Sequence, residues 1–221
     1  VPGYPFWISY TDGARYESSL QKDLHAHYLN QAVQIEAGHL EAVTKVAKKH
    51  GIAVMLGVIE RPADRGGHSV YCSRVFIDAN GKIASVHRKL TPTYEERLSW
   101  APGDGHGLVV HKVGPFNVGG LNCFENYMPL SRAALYGQGE NLHVALWPGS
   151  VRRTEATTQF LAHEGRSFVM AVSGLLRKAD IPSDSPASAM LSQCPDVLAD
   201  GGSCIAGPDG EWVVAPVVGK E

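Results

Sequence analysis

The strongest constraint on the fold is a continuous apolar run of strand length at residues 52–58. An apolar run of this kind suits a strand in a sheet that is buried on both faces. An amphipathic helical pattern precedes it, from about residue 24 to residue 49, and Gly51 is a natural stop for that helix. The first quarter of the chain therefore predicts one long helix followed by a buried strand.

The connections between the later elements are of two kinds. Residues 70–77 and 83–87 are predicted strands on either side of an Asn-Gly hairpin signal. Helical patterns begin near Leu130 and cover residues 154–164. Because strands are joined by both hairpins and helices, the sequence predicts a mixed α/β sheet sandwich. Further strands are predicted at 108–113, 116–121, 143–147, 168–172 and 211–215, and an ordered loop excursion at 177–202.

The composition excludes several classes of protein. The 221 residues are 44% hydrophobic and 19% charged, which fits one α/β domain with a sizeable core. The net charge of -2 suggests neither nucleic acid nor an anionic membrane as a partner. No apolar run approaches the ~18 residues of a membrane span. The four cysteines show no metal-binding spacing, so we expect reduced thiols, no metal site and a cytoplasmic protein.

Cys123 lies where a predicted strand ends and a helical pattern is about to begin. A thiol at such a turn is close to backbone N–H groups and a helix N-terminus. Both favour the thiolate and can stabilise an oxyanion. Cys123 is therefore a candidate nucleophile, with a buried structural cysteine as the alternative.

Lys89 closes another predicted strand and opens a charged loop that contains Pro92. A lysine at a strand end can be partly desolvated beside a carboxylate, where it becomes a fixed cationic donor to a developing oxyanion. A solvated charged loop is the alternative.

Together these two segments resemble the nitrilase branch of the carbon–nitrogen hydrolase superfamily. Residues 88–105 match its Arg-Lys-Leu-x-Pro-Thr-x-x-Glu-Arg-x-x-Trp-x-x-Gly-Asp-Gly pattern, and residues 123–130 match Cys-aromatic-Glu-Asn-x-x-Pro-Leu. Residues 143–149, 164–167 and 201–204 also resemble that branch, in the same order.

The resemblance implies a Glu–Lys–Cys catalytic triad. Cys123 would be the nucleophile, Lys89 the catalytic lysine and Glu96 a supporting glutamate. The principal glutamate, the general base, belongs to a Phe-Pro-Glu stretch just before the Gly-Tyr-Pro found here at residues 3–5, so it is absent from this chain. The backbone N–H of Phe124 would assist at the oxyanion. The reaction implied is nitrile hydrolysis to a carboxylic acid and ammonia through thioimidate and thioester intermediates, without a cofactor.

The family fold is an α-β-β-α sandwich, usually in dimers that can extend into spiral filaments. Residues 130–139 and 154–164 are the candidate interface helices, and core-facing helices are the alternative. Val1 is not a start methionine, and the chain stops soon after a predicted strand. We expect residues 1–221 to be one hydrolase domain, the core of a longer enzyme cut at both ends.

The substrate pocket is expected to be aromatic, because apolar walls suit a nitrile. Its candidate members lie beside the matched motifs: Tyr4, Phe6, Trp7, Phe124, His143 and Trp147. Three alternatives stay open. An amidase or carbamoyl hydrolase of the same superfamily would share the chemistry and differ in the pocket. A Cys–His thiol hydrolase would recruit one of the ten histidines. A non-catalytic assembly protein would explain the missing glutamate.

Overall fold

The chain folds into two β-sheets with helices on their outer faces. The computed structural model describes residues 3–11 and 15–219, and within them the chain forms four α-helices and ten strands. The helices are α1 (Ser19–Gln31), α2 (Glu41–His50), α3 (Pro129–Tyr136) and α4 (Val151–Gly165). The strands are β1 (Val54–Glu60), β2 (Tyr71–Ile77), β3 (Ile83–Arg88), β4 (His111–Val113), β5 (Phe116–Asn122), β6 (Leu142–Trp147), β7 (Phe168–Ser173), β8 (Leu175–Arg177), β9 (Val197–Ala206) and β10 (Trp212–Val218).

The first sheet is antiparallel, in the order β1-β2-β3. Val54 pairs with Ile77 at one end of the β1–β2 ladder, and Glu60 pairs with Tyr71 at the other. The hairpin predicted between β2 and β3 is confirmed: Gly81 has a φ of +78° and donates its N–H to the Asp78 carbonyl. Strand β3 ends at Arg88, so Lys89 is the first residue beyond the sheet.

The second sheet runs in the order β10-β9-β7-β6-β5-β4, and β8 pairs with β9. Strands β5, β6 and β7 are parallel neighbours. Parallel strands bring their carboxyl ends to the same edge of a sheet. The segments that follow Asn122, Trp147 and Ser173 therefore meet at one edge.

The layers follow from which residues pack together. Leu40 and Ala47 pack against Val58, Val75 and Ile77 on the outer face of the first sheet. On the outer face of the second sheet, α4 packs through Leu161 and Ala162, in a cluster that includes Ala145, Val169 and Ala171. Between the sheets, Met55 packs on Val118, Val144 and Leu146. The predicted α-β-β-α sandwich is confirmed.

The single helix predicted at residues 24–49 is wrong. Helix α1 ends at Gln31, and α2 does not begin until Glu41. Between them Val33 joins the edge of β1: its N–H donates to the Ile59 carbonyl at 2.7 Å, and its carbonyl accepts from the Arg61 N–H at 2.8 Å. A residue in extended pairing cannot continue a helix. The predicted stop at Gly51 is confirmed, with a φ of +62°.

The loop predicted at residues 177–202 is partly wrong. Strand β9 begins at Val197 and pairs with β7, β8 and β10. Residues 186–193 form a 3-10 helix. The Pro and Gly residues of this segment disfavour regular structure, but pairing with neighbouring strands outweighs that local preference. Gly201 and Gly202 adopt positive φ within strand β9. Among the described helices, none combines the length and apolarity needed to span a bilayer.

Candidate active site

Cys123 is displayed on a sharp turn. Strand β5 ends at Asn122, and residues Cys123–Tyr127 form a single 3-10 segment before α3. Cys123 has a φ of +52°, a left-handed conformation that costs a non-glycine residue about 1–3 kcal/mol. A capping box holds the turn, because Glu125 accepts from the backbone N–H of Asn122. The capping box therefore holds the half-buried thiol, despite the strain, at the edge where β5, β6 and β7 end.

The thiol is not pre-ionised. Burial raises the pKa of Cys123 above its usual value, although Lys89 and the backbone N–H of Phe124 act in the opposite direction. The Phe124 N–H favours the thiolate, as expected, but desolvation of the thiol outweighs this contribution. Reaction at this thiol requires a base that removes its proton.

Lys89 is buried and paired, so the predicted alternative of a solvated charged loop is wrong for this residue. Its Nζ donates to Glu96 at 2.5 Å and to Thr93 Oγ1 at 3.3 Å, and the side chains of Lys89 and Glu96 are each 1% exposed. Glu96 also accepts from the Thr93 N–H at 2.6 Å. Burial acts to lower the pKa of Lys89, but the negative charges of ionised Cys123 and of Glu96 outweigh it, and the pKa is raised. The ammonium is therefore held beside the thiol as a cation.

Three other glutamates, Glu60, Glu95 and Glu125, have partners of their own. Glu60 is buried in the first sheet, with both oxygens bound by Arg88 and one by Ser73. Glu95 lines the cavity beside Cys123 and accepts from Tyr4 Oη at 2.5 Å. Glu125 is fully buried, between the end of β3 and the turn at Cys123.

A cavity of about 410 Å³ opens beside Cys123. Four of the predicted aromatic and motif residues line it: Tyr4, Phe6, Phe124 and Trp147. Glu96 is also in its wall. Much of the remaining wall comes from positions where the sequence predicted no pocket residue, at 148–150, 153–154, 174–176 and 198–199.

Trp7 and His143 do not line this cavity, in contrast to the prediction. Trp7 is 8% exposed and belongs to a core cluster with Ile8, Leu24 and Met190. Its neighbour Phe6 reaches the cavity instead, because consecutive residues of a 3-10 segment point in different directions.

His143 lies on the side of Cys123 that faces away from the cavity, and not in the cavity wall. Its Nδ1 is 3.0 Å from Glu140 Oε1, and its Nε2 is 2.8 Å from Asn126 Oδ1. Asn126 Nδ2 donates to the Cys123 carbonyl at 2.8 Å, so Oδ1 faces the imidazole and Nε2 must carry a proton. His143 therefore reaches the Cys123 backbone through Asn126 and does not contact the thiol as a Cys–His base would.

Sequence reasoning missed the roles of Glu125 and Asn126 as buried acceptors and donors. Both lie within the matched Cys-aromatic-Glu-Asn motif, and both are 0% exposed. The signal available in the sequence was the Glu-Asn pair that begins two residues after the candidate nucleophile. Among the described residues, no group of three or more His, Cys, Asp or Glu side chains could hold a metal ion.

The chain is similar to known proteins over nearly its whole length. The family model for carbon–nitrogen hydrolases matches residues 1–220. The chain is 32% identical to an aliphatic nitrilase from Rhodococcus rhodochrous and 34% identical to one from Sinorhizobium fredii, over 98% of its own length in each case. It spans 57% and 68% of the length of those two relatives.

Solved structures show the same fold at lower identity. A carbon–nitrogen hydrolase from Helicobacter pylori G27 aligns with a TM-score of 0.66 at 17% identity, covering 93% of this chain and 69% of that one. A superfamily protein from Xanthomonas campestris, with an arsenic adduct in its active site, aligns with a TM-score of 0.67 at 15% identity, covering 88% and 69% of the two chains.

Proposed function

Because this chain belongs to the carbon–nitrogen hydrolase family, we propose that it is a thiol hydrolase that converts a nitrile and two waters to a carboxylic acid and ammonia. The observation that carries the proposal is the buried Lys89–Glu96 pair beside Cys123, at the wall of a cavity with aromatic lining. The relatives named nitrilase, at 32% and 34% identity, support the choice of a nitrile as substrate.

The chemistry begins with addition of the Cys123 sulfur to the nitrile carbon, while a base takes the thiol proton. A thioimidate forms, and the nitrile nitrogen is protonated. Water then adds and ammonia leaves, which gives a thioester. A second water releases the acid and restores the thiol.

Lys89 is suited to stabilise the negative charge that develops on the substrate. It is cationic, and Glu96 and Thr93 fix its direction, so little reorganisation is needed during the reaction. The backbone N–H of Phe124 is the second donor near the thiol. By resemblance, the general base is a glutamate upstream of Gly3, so we assign that role to no residue between Val1 and Glu221.

We also propose that residues 1–221 form one domain of a cytoplasmic homo-oligomer. The four cysteines are unpaired thiols, which supports a reducing compartment. Leu130 on α3 is 83% exposed and Phe160 on α4 is 55% exposed, which supports these helices as the contact between copies. Light scattering of a Leu130→Ser variant tests this: the wild type should be larger than a monomer, and the variant smaller than the wild type.

The decisive experiment is ammonia release by the full-length chain from a panel of nitriles and their matching amides. Release from nitriles that disappears in Cys123→Ala supports the proposal. Release from amides alone would move the protein to the amidase branch. A folded protein that releases ammonia from neither would contradict an enzymatic role.

A further inference from the structure

Glu125 connects the two segments that carry Lys89 and Cys123. Its Oε1 accepts from the backbone N–H of Leu90 at 2.7 Å, and its Oε2 accepts from the backbone N–H of Asn122 at 3.0 Å. Leu90 directly follows Lys89, and Asn122 directly precedes Cys123. One carboxylate therefore holds the chain on either side of the reacting pair.

This connection is needed because the two segments leave different sheets. Strand β3 belongs to the three-stranded sheet, and β5 belongs to the other, so in the described residues no strand pairing aligns one with the other. Side-chain packing between layers tolerates small shifts more readily than a hydrogen-bonded ladder does. The Glu125 carboxylate supplies two backbone bonds across this gap.

The site around Glu125 fits an ionised carboxylate. His87 Nε2 lies 3.0 and 3.1 Å from its two oxygens, and the buried Arg74 guanidinium is an additional nearby charge. Burial acts to raise the pKa of Glu125, but His87 and the N–H groups of Leu90 and Asn122 outweigh it, and the pKa is lowered. Both oxygens are therefore acceptors, as two N–H donors require.

We propose that Glu125 is a positioning residue that fixes Lys89 relative to Cys123 by fastening the backbone beside each of them. The role rests on the proposed function, in which Lys89 stabilises charge and Cys123 attacks. It differs from helix capping, which needs only one oxygen of residue 125 for the Asn122 N–H. A glutamine could keep that cap, but its amide NH₂ cannot accept from Leu90.

The Glu125→Gln variant therefore distinguishes two roles of Glu125: aligning Lys89 with Cys123, and capping the turn at the Asn122 N–H. The readout is the pH dependence of Cys123 alkylation by iodoacetamide, followed at the Cys123 peptide by mass spectrometry, in the full-length chain. Only the thiolate reacts, so the midpoint of the profile reports how well Lys89 stabilises it. Losing the negative charge of Glu125 would by itself lower that midpoint, whereas losing the alignment of Lys89 would raise it.

A double-mutant cycle with Lys89→Met distinguishes the two effects. We expect Glu125→Gln to raise the midpoint when Lys89 is present, so that alkylation at lower pH slows about tenfold for each pH unit by which the midpoint rises. In the Lys89→Met background the same substitution should lower the midpoint or leave it unchanged. Equal changes of the midpoint in both backgrounds would show that Glu125 acts only through its charge, and would overturn the proposal.

Glu60→Gln is the matched control. Glu60 is likewise a buried carboxylate with hydrogen bonds to both oxygens, and its partner Arg88 adjoins Lys89, but all the hydrogen bonds of its side chain stay within the first sheet. It should lower thermal stability and leave the alkylation midpoint unchanged. A midpoint change as large as that of Glu125→Gln would contradict alignment as the cause.

If Glu125→Gln does not fold, Glu125→Asp keeps the charge and shortens the reach. It should raise the midpoint, and a folded aspartate variant with the wild-type profile would overturn the proposal. On a nitrile substrate, a folded Glu125 variant should lose about 100-fold in kcat with little change in KM. Absence of nitrile turnover in the wild type would refute the proposed function, and the alkylation cycle would still test Glu125.

Discussion

Lys89 and Glu96 form an ion pair with 2.5 Å between Nζ and Oε2, and both side chains are almost completely removed from solvent. Two buried opposite charges stabilise each other only as a pair, because each has lost its hydration. Glu96 has a second partner in the Thr93 N–H, and Lys89 Nζ also donates to the Thr93 hydroxyl and lies 5.5 Å from the centre of the Trp100 ring. A substitution in this pair should therefore change both the stability of the fold and the rate of the reaction.

Lys89→Met should remove activity and destabilise the fold. The Glu96 carboxylate would be left buried without its cation, at a cost of about 3–5 kcal/mol. Adding Glu96→Gln should recover much of this stability without restoring turnover. Urea unfolding and ammonia release on the single and double variants measure the two effects. Recovery of turnover in the double variant would exclude Lys89 from the chemistry.

Cys123→Ala should lose all measurable turnover and keep the fold, because it removes the nucleophile and little volume. Cys194→Ala, a cysteine buried in a separate cluster, is the control and should retain turnover. Cys123→Gly should be at least as stable as Cys123→Ala, since glycine adopts the φ of +52° without steric cost. Thermal unfolding compares the two, and a less stable glycine variant would argue against strain at this turn.

Gly119→Ala should damage the support behind the nucleophile. A Cβ at Gly119 would lie 2.1 Å from Glu140 Oε1, so the side chain that holds His143 must move. Overpacking of this kind costs about 1–3 kcal/mol. We expect lower thermal stability together with a fall in kcat, because His143 and Asn126 support the Cys123 carbonyl.

Gly105→Ala is the control for this substitution. Its Cβ would meet only Leu108, at an ordinary 3.9 Å, and its φ is not in the left-handed region. It should change stability and kcat little. If Gly119→Ala behaves in the same way, the buried network behind Cys123 does not support the site.

Acid should weaken the fold through Glu125. Its pKa in the folded chain lies below the ordinary value of 4.5 that it regains on unfolding. The stabilisation is therefore complete above pH 4.5 and is lost as the pH falls through the lowered folded pKa. Urea unfolding at about pH 6 and about pH 4 should show a smaller decrease for Glu125→Gln than for the wild type. An equal decrease would assign acid sensitivity to other groups.

The sequence predicted the elements well where local pattern and sheet pairing agree. The hairpin at residues 78–82, strand β6 and the turn after Cys123 are examples. The prediction failed where a segment distant in sequence determines the secondary structure. Val33 leaves the helix because the edge of β1 offers it hydrogen bonds, and no local signal at residue 33 reveals that edge.

The sequence predicted the reacting side chains of the site correctly, and it predicted the residues of the surrounding cavity wall less well. Lys89, Glu96 and Cys123 lie together, but the direction of a side chain such as His143 depends on which face of β6 meets the cavity. Alternation within an entirely buried strand gives no sign of that choice, because both faces are apolar. Burial of Cys123 likewise depends on packing between segments far apart in sequence, and its effect on the thiol pKa outweighs the N–H groups that favour the thiolate.

The cavity wall has a consequence for how such a protein can diverge. Most of its lining comes from residues 4–10, 147–154, 174–176 and 198–199, which contain none of the proposed reacting groups. Lys89, Glu96 and Cys123 come from two other stretches of the chain, which supply a smaller part of the wall. Mutational libraries confined to the lining segments would therefore alter selectivity and leave the reacting groups intact. Preference for a substrate and the ability to break its bond are encoded in separable parts of the gene, and one can drift while selection preserves the other.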